Sequence, residues 1–313
     1  MKISGFTFAK NAQKLYFPIK QSIESILPIV DEFVIALDKG DADDKTEELL
    51  KSIDSDKIKI VYVKWEPDKY PWNTIYAQQT DVAKEACSGD WLFYIQSDEA
   101  MHEKWLPIVK NACEKYLDNK KVEGFLFKYK HFWGDYRHYH RSHVWYPKEI
   151  RIVRNDSKIH SWKDAQSFRK FETFDHSFEA YHQKGGKKLN VIQLPAEIFH
   201  YGYVRPPHMM RKKAKSNEET FFGKFRPEMV NRGDDTFYYG PLNLLTEFKG
   251  EHPAVMKEWI DDFHWKDQLQ YSGKRLNHKH DRLKYRVISW FENHIFKTRL
   301  WGFKNYKIVG KVK

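Results

Sequence analysis

The chain has 313 residues, 41% of them hydrophobic and 31% charged, which excludes a disordered or fibrous protein and leaves enough apolar material for a sizeable core. A formal net charge of +11 calls for an anionic partner, such as nucleotide phosphates, nucleic acid or a membrane surface, without choosing among them. Two cysteines, Cys87 and Cys113, exclude a disulfide framework and a zinc cluster, and the absence of a signal peptide or an apolar run of ~18 residues leads us to expect a cytoplasmic chain with no membrane span.

In chain order, Ile3 to Phe8 reads as a strand. Ile19, Ile23, Ile26 and Leu27 follow at helical spacing behind Pro18. Phe33 to Leu37 reads as a buried strand, Thr46 to Ile53 as a helix and Ile58 to Val63 as a strand. Asn73 to Ala86 reads as a helix closed by Gly89, and Trp91 to Ile95 as the next strand. This alternation predicts a mainly parallel sheet covered by helices, which places ligands beyond the carboxyl ends of its strands. Glu103 to Tyr116 is a further helix and Val122 to Tyr129 a further strand. Phe132 to Trp145 reads as too polar for core and too irregular for a helix. Glu149 to Val153, Leu189 to Leu194 and Ile198 to His200 read as strands. From His208 onward helices are expected to dominate, with a turn at 232–235 and a last amphipathic helix over Asp281 to Phe296.

Carboxylates gather at two of the predicted strand ends. Asp38 closes the second strand, with Asp41, Asp43 and Asp44 just beyond it; Asp98 and Glu99 follow Trp91 to Ile95. In a basic protein such a gathering needs a counter-charge, and a hard divalent cation that bridges to phosphates is one. Capping of the next helix is the competing role for Ser97 or Asp98.

The run from Trp91 to Leu106 resembles the strand, acidic motif and helix of family-2 glycosyltransferases of the GT-A fold. Ile3-Ser4-Gly5-Phe6-Thr7-Phe8-Ala9-Lys10-Asn11 is similar to that family's first strand and nucleotide-contacting loop. Asp31 to Asp38, with Asp43-Asp44-Lys45-Thr46, is similar to its second strand and nucleoside-holding loop. The resemblance spans roughly 1–205 and implies a GT-A type, Rossmann-like mixed α/β domain with a mainly parallel sheet flanked by helices. Beyond it, the helix-dominated stretch over 206–313 reads as a C-terminal helical extension packed on that domain. The resemblance implies a nucleotide-sugar donor held by Phe8, Asn11, Asp38, Asp43, Gln96, Ser97 and Asp98. It also implies a Mn2+ or Mg2+ ion on Asp98, with His200 from a late strand as a second ligand. Gln96-Ser97-Asp98 departs from the family's Asp-X-Asp by an amide, which can still bond a ribose hydroxyl or a metal-bound water.

An inverting transfer needs a base for the acceptor hydroxyl. The resemblance points to a carboxylate after the strand Glu149 to Val153, and Asp164 is the candidate, with Lys163 and Arg169 expected to support its ionised form. Glu149 and Asp135 stand behind it. The bland reading of His200 is a partly buried imidazole satisfied by backbone; that of Arg205, Arg211, Lys212 and Lys213 is a solvated basic face, their sharper reading a diphosphate clamp.

In the tail, Lys284, Arg286, Lys297, Arg299, Lys304 and Lys307 alternate with Trp290, Phe291, Phe296, Trp301 and Phe303. Such segments lie on anionic membranes, which would put the protein at the inner membrane face. Packing on the domain is the favoured reading, because Glu292, Asn293 and His294 interrupt the basic face. The expected function is glycosyl transfer to a glycan or lipid-linked acceptor in surface polysaccharide synthesis. A nucleotidyltransferase is the alternative enzyme, disfavoured by the lack of glycines in Ala9-Lys10-Asn11-Ala12. A nucleic-acid-binding module lacks a recognised motif, and no nucleic-acid partner is expected.

Overall fold

A computed structural model describes residues 1–222, 235–276, 278–302 and 304–312. Residues 232–234 of the expected turn, and Phe303, lie outside the described residues. The first half alternates as the hydrophobic pattern requires: β1 (Ile3–Ala9), α1 (Ile19–Glu24), β2 (Glu32–Leu37), α2 (Thr46–Lys51), β3 (Ile58–Tyr62), α3 (Thr74–Glu85) and β4 (Trp91–Tyr94). β1 lies between β2 and β4, parallel to both, and β3 extends the sheet from β2. Every residue of β2 and β4 is buried. Their near-continuous apolar runs reflect two covered faces rather than one.

The chain continues through β5 (Glu99–Met101), α4 (Leu106–Lys115), β6 (Gly124–Trp133), β7 (His138–His140), β8 (Lys148–Arg154), β9 (Ile159–Trp162), β10 (Ser167–Lys170), α5 (Phe178–His182) and β11 (Lys187–Tyr203). The strand order is β3-β2-β1-β4-β8-β6-β11-β10-β9. β8 runs antiparallel to both its neighbours, whereas β6 and β11 are parallel. The result is a mixed α/β sheet with helices on its faces. Phe33, Phe93, Phe125 and Ile152 fill the core on one face. Phe6, Tyr94, Leu126 and Phe168 fill it on the other.

Three segments differ from the sequence reading. The two late strands are one, β11, of 17 residues. Pro195, which has no N–H to give, is absorbed where the β6–β11 register shifts between Gln193 and Glu197. The aromatic stretch after β6 is not expelled from the interior. Phe132, Trp133 and Tyr136 are buried, and Phe132 stacks on Tyr201 with ring centres 5.2 Å apart. The polar residues around them find partners: Asp135 accepts from the backbone N–H groups of Arg137 and His138, which makes it a turn residue rather than a base.

Beyond His208, regular helix among the described residues is limited to α6 (Pro207–Phe222), α7 (Lys257–Asp261) and α8 (Leu283–Phe291), with β12 (Thr246–Glu247) and short turns between them. Between α6 and α8, Tyr239, Leu242, Met256 and Trp265 each insert into an aromatic cluster. The chain then returns to the sheet as β13 (Tyr306–Lys311), parallel to β11.

Candidate active site

The carboxyl ends of β1, β2 and β4 gather the residues that the sequence singled out. Asp38, just past β2, accepts hydrogen bonds from the backbone N–H groups of Gly40 (2.8 Å) and Trp65 (2.6 Å), and from Lys10 Nζ (3.3 Å). Asn11 takes a left-handed backbone (φ 52°), and its side-chain oxygen accepts from the Asp41 N–H at 2.8 Å. Gly40, at φ +67°, has that oxygen 2.0 Å from where a Cβ would stand, so no side chain fits there. Phe8 stacks on Tyr76 (5.7 Å, 10°) and packs against Trp65, forming an aromatic wall. Ser97 Oγ donates to the Phe8 carbonyl at 3.3 Å. Asp43 stands apart at the exposed rim, ion-paired with Lys14.

Asp98 caps no helix. His102 accepts from the Lys104 N–H at the start of the next helical turn, so the capping role falls to it. The Asp98 carboxylate is buried and accepts from Lys213 Nζ of α6 at 2.9 Å. His200 Nε2 lies 3.8 Å from its other oxygen. Burial opposes its ionisation, but the charges of Lys213 and Arg205 outweigh burial and hold the carboxyl well below the usual range. Lys213 also donates to the Gly202 carbonyl at 2.8 Å. Burial, reinforced by Arg205, brings its ammonium down to a pKa of about 8. A Cβ at Gly202 would stand 2.5 Å from His200 Nε2 and 2.8 Å from an Asp98 oxygen, so this glycine keeps the space between them open.

Arg205 is fully buried, yet none of its three guanidinium nitrogens has a hydrogen-bond partner among the described residues. It lies over the Phe17 ring (4.6 Å to the centre), and Lys213 lies over the same ring at 4.9 Å. A buried, always-charged group with five unused donors is costly to leave unmatched. The sequence named Arg205 and Lys213 as cations but could not tell a clamp from a solvated face; the signal it lacked is burial.

The imidazoles form a chain. His131 Nε2 lies 2.7 Å from the Tyr146 carbonyl, which can only accept, so Nε2 carries the proton. Burial lowers the His131 pKa well below its ordinary value, so the ring is neutral and its Nδ1 accepts from His200 Nδ1 at 3.1 Å. His200, also neutral because burial lowers its pKa, therefore presents an unprotonated Nε2 toward Asp98. One imidazole nitrogen and one carboxylate oxygen, 3.8 Å apart, thus face the gap that Gly202 keeps.

Asp164 sits in the tight turn between β9 and β10. Both its neighbours, Lys163 (φ 56°) and Ala165 (φ 59°), adopt the left-handed conformation, a strain of about 1–3 kcal/mol each that the surroundings must hold. Gln96 Nε2 reaches the Ala165 carbonyl at 3.4 Å, joining this turn to the end of β4. The Asp164 side chain is open to solvent within a crowded recess, and the crowding pushes its carboxyl up despite the opposing charge of Lys163. Arg169 gives it no support. That guanidinium stacks over Trp162 and donates to Asn305 Oδ1 at 2.9 Å.

Glu149, the second candidate base, is fully buried, and neither carboxyl oxygen has a hydrogen-bond partner among the described residues. Burial pushes its pKa to about 8. Arg151 and Glu99, one residue after Asp98, form a bidentate pair at 2.7 and 2.9 Å with both side chains fully buried. Arg151 also donates to the Gln166 carbonyl at 3.1 Å, so one guanidinium fixes the Asp98 loop to the Asp164 turn.

A cavity of about 1010 Å³ opens between β6 and the C-terminal tail, with His131, Lys128, Lys130, Lys148, Lys297 and Lys304 among its wall residues. His131 connects it to His200. A separate group, Asp81, Glu85, His160 and His176, has ligand atoms within 4.8 Å of one another but shares no residue with the Asp98 site. There Asp81 bonds His160 Nδ1 and the Ser161 N–H, both at 2.8 Å, which pins α3 to β9.

No family model and no curated protein matches this chain in sequence. Among solved structures it is similar to S. aureus TarS, at 13% identity and a TM-score of 0.38, over 71% of this chain and 40% of that one. A TarS fragment, 1-349, has been solved with UDP and with UDP-GlcNAc. The chain is also similar to glucosyl-3-phosphoglycerate synthase from Mycobacterium tuberculosis, solved with Mn2+, UDP and phosphoglyceric acid, at 21% identity and a TM-score of 0.29, over 41% of this chain and 42% of that one. The chain thus spans less than half of either full chain.

Proposed function

We propose that the protein transfers a glycosyl group from a nucleotide-diphospho-sugar to a hydroxyl of a glycan or lipid-linked acceptor, with inversion, in surface polysaccharide synthesis. The observation that carries the reading is the unmatched Arg205 guanidinium beside Lys213 and Asp98, at the sheet edge where Asp38 and the Phe8 wall offer a nucleoside seat. Asp38 and Asn11 would orient the ribose and base, and Gln96 and Ser97 the sugar side. A Mn2+ or Mg2+ ion, held by Asp98 and His200, would grip the diphosphate and neutralise charge on the leaving group. Arg205 and Lys213 supply the protein's own positive charge to the same departing diphosphate. Asp164 takes the acceptor proton as the hydroxyl attacks the anomeric carbon, and its raised pKa suits a base. The lysine-lined cavity behind His131 favours an acceptor that carries phosphate.

The test is a calorimetric titration with Mn2+ and a nucleoside diphosphate. Asp98→Asn should lose Mn2+-dependent nucleotide binding with the melting temperature nearly unchanged, and His200→Ala should show a milder loss. Unaltered Mn2+-dependent affinity in both folded variants would remove the metal from this site.

A further inference from the structure

The C-terminal segment meets the domain with its polar side. Ser289 accepts from the His143 N–H at 2.8 Å, and Glu292 accepts from His143 Nδ1 at 2.9 Å and from the Leu300 N–H at 3.0 Å. Arg299 pairs with Glu292 and donates to the carbonyls of Ser142 and Trp145. Asn293 donates to the Arg141 carbonyl at 3.0 Å. The apolar side is left outward: Leu283, Val287, Trp290, Phe291, Ile295, Phe296 and Trp301 are all exposed, Leu283 by 68% and Trp290 by 51%. These are seven of the fifteen large apolar side chains exposed among the described residues, gathered within 19 positions of the sequence. Isolated exposed apolar residues need no explanation, but a contiguous face of this kind does.

Charge indicates what covers it. Arg282, Lys284, Arg286 and Lys297 are exposed on the same segment, and its one carboxylate, Glu292, is buried. A second copy seated on this face by a two-fold axis would bring the cations against one another. An anionic surface instead accepts the apolar side chains and the cations together, with Trp290 and Trp301 at the depth where indoles anchor.

We infer that the segment 282–302 seats the protein on an anionic membrane surface. The apolar face enters the headgroup region, and the lysines and arginines around it engage lipid phosphates. Lys297 of this segment also lines the cationic cavity beside the tail. Docking holds whichever group the enzyme transfers.

The full chain is floated with vesicles of phosphatidylcholine alone and with vesicles containing about one third phosphatidylglycerol, a fraction chosen to give a strong surface potential. The expected result is binding to the anionic vesicles, weaker at high salt, and reduced at least about tenfold by Trp290→Ser with Ile295→Ser or by Lys284→Glu with Arg286→Glu. These side chains are exposed, so the variants keep the fold, and an unchanged melting temperature confirms it. Failure to bind anionic vesicles would overturn the inference. So would equal binding to neutral ones, undiminished binding by folded variants, or a stable dimer in light scattering that Trp290→Ser with Ile295→Ser dissociates.

Discussion

Lys213 donates a 2.9 Å hydrogen bond to the carboxylate of Asp98, across a gap that Gly202 holds open. The contact joins a residue of α6 to the end of β4, 115 positions earlier in the chain. It means that the acidic residue at the strand end is already partnered by a cation from the protein, with Arg205 next to it and without a hydrogen-bond partner among the described residues. Loss of that charge should be felt by an incoming diphosphate. Lys213→Met or Arg205→Met is predicted to weaken nucleoside diphosphate binding about 10- to 100-fold, the range of one charge-assisted hydrogen bond. Nucleoside affinity without phosphates should change little; an equal loss of both would indicate a structural role.

The same lysine sets an alkaline limit. Its ammonium, brought down to a pKa of about 8, is charged below that pH and neutral above it. Only the charged form assists a diphosphate. The ratio kcat/KM, which reports groups of the free enzyme, is therefore expected to fall as pH rises through about 8. Lys213→Arg should move this limb out of the measurable range, because a guanidinium does not lose its proton there. An alkaline limb that persists unchanged in Lys213→Arg would assign it to another group.

Asp164 separates chemistry from binding. Asp164→Asn keeps the size and removes the ability to take a proton. Turnover should fall by about 10²–10⁴-fold with donor affinity nearly unchanged. Because the carboxyl is pushed up, wild-type turnover should also decline on the acid side at a higher pH than a free aspartate would give. A fall of less than about tenfold would exclude Asp164 as the base.

Glu149 predicts a stability effect. Its folded pKa, about 8, exceeds the ordinary value of 4.5. Between these values the unfolded chain has released the proton while the folded chain holds it, so stability falls as pH rises from about 4.5 to 8 and then levels off. Glu149→Gln removes the titration. It should flatten this slope and raise the melting temperature at pH 8 by about 2–4 °C or more relative to wild type. Identical pH slopes in the two proteins would contradict a neutral, buried Glu149.

The parallel half of the fold was legible because β1, β2 and β4 are apolar runs at strand length, separated by helical spacing. The strand-end position of Asp38 and Asp98 followed from that order. What sequence could not reach depends on distant pairing. Burial of Arg205 and the orientation of His200 through His131 are decided by residues 69 or more positions apart in the chain, or by the way α6 folds back. The aromatic run at Phe132 to Trp145 looked too polar for core, because the partners that absorb it, such as His252 and Trp265, come from more than 100 positions later. The tail meets the domain through Ser289, Glu292, Asn293 and Arg299, and which of its sides would do so is again decided by distant partners, His143 and the Ser142 and Trp145 carbonyls.

The most direct test of the donor site is a thermal-shift measurement of the wild-type chain against a panel of nucleoside diphosphates and nucleotide sugars, with and without Mn2+. A ligand at about 100 times its dissociation constant adds about 2.7 kcal/mol, a readily measured rise in melting temperature. The prediction is that at least one nucleoside diphosphate stabilises the protein, that Mn2+ enlarges the shift, and that Asp98→Asn and Lys213→Met each abolish most of it. If no nucleoside diphosphate or nucleotide sugar raises the melting temperature of the wild-type protein at millimolar concentration, with or without Mn2+, the anion beside Arg205 is not a donor diphosphate.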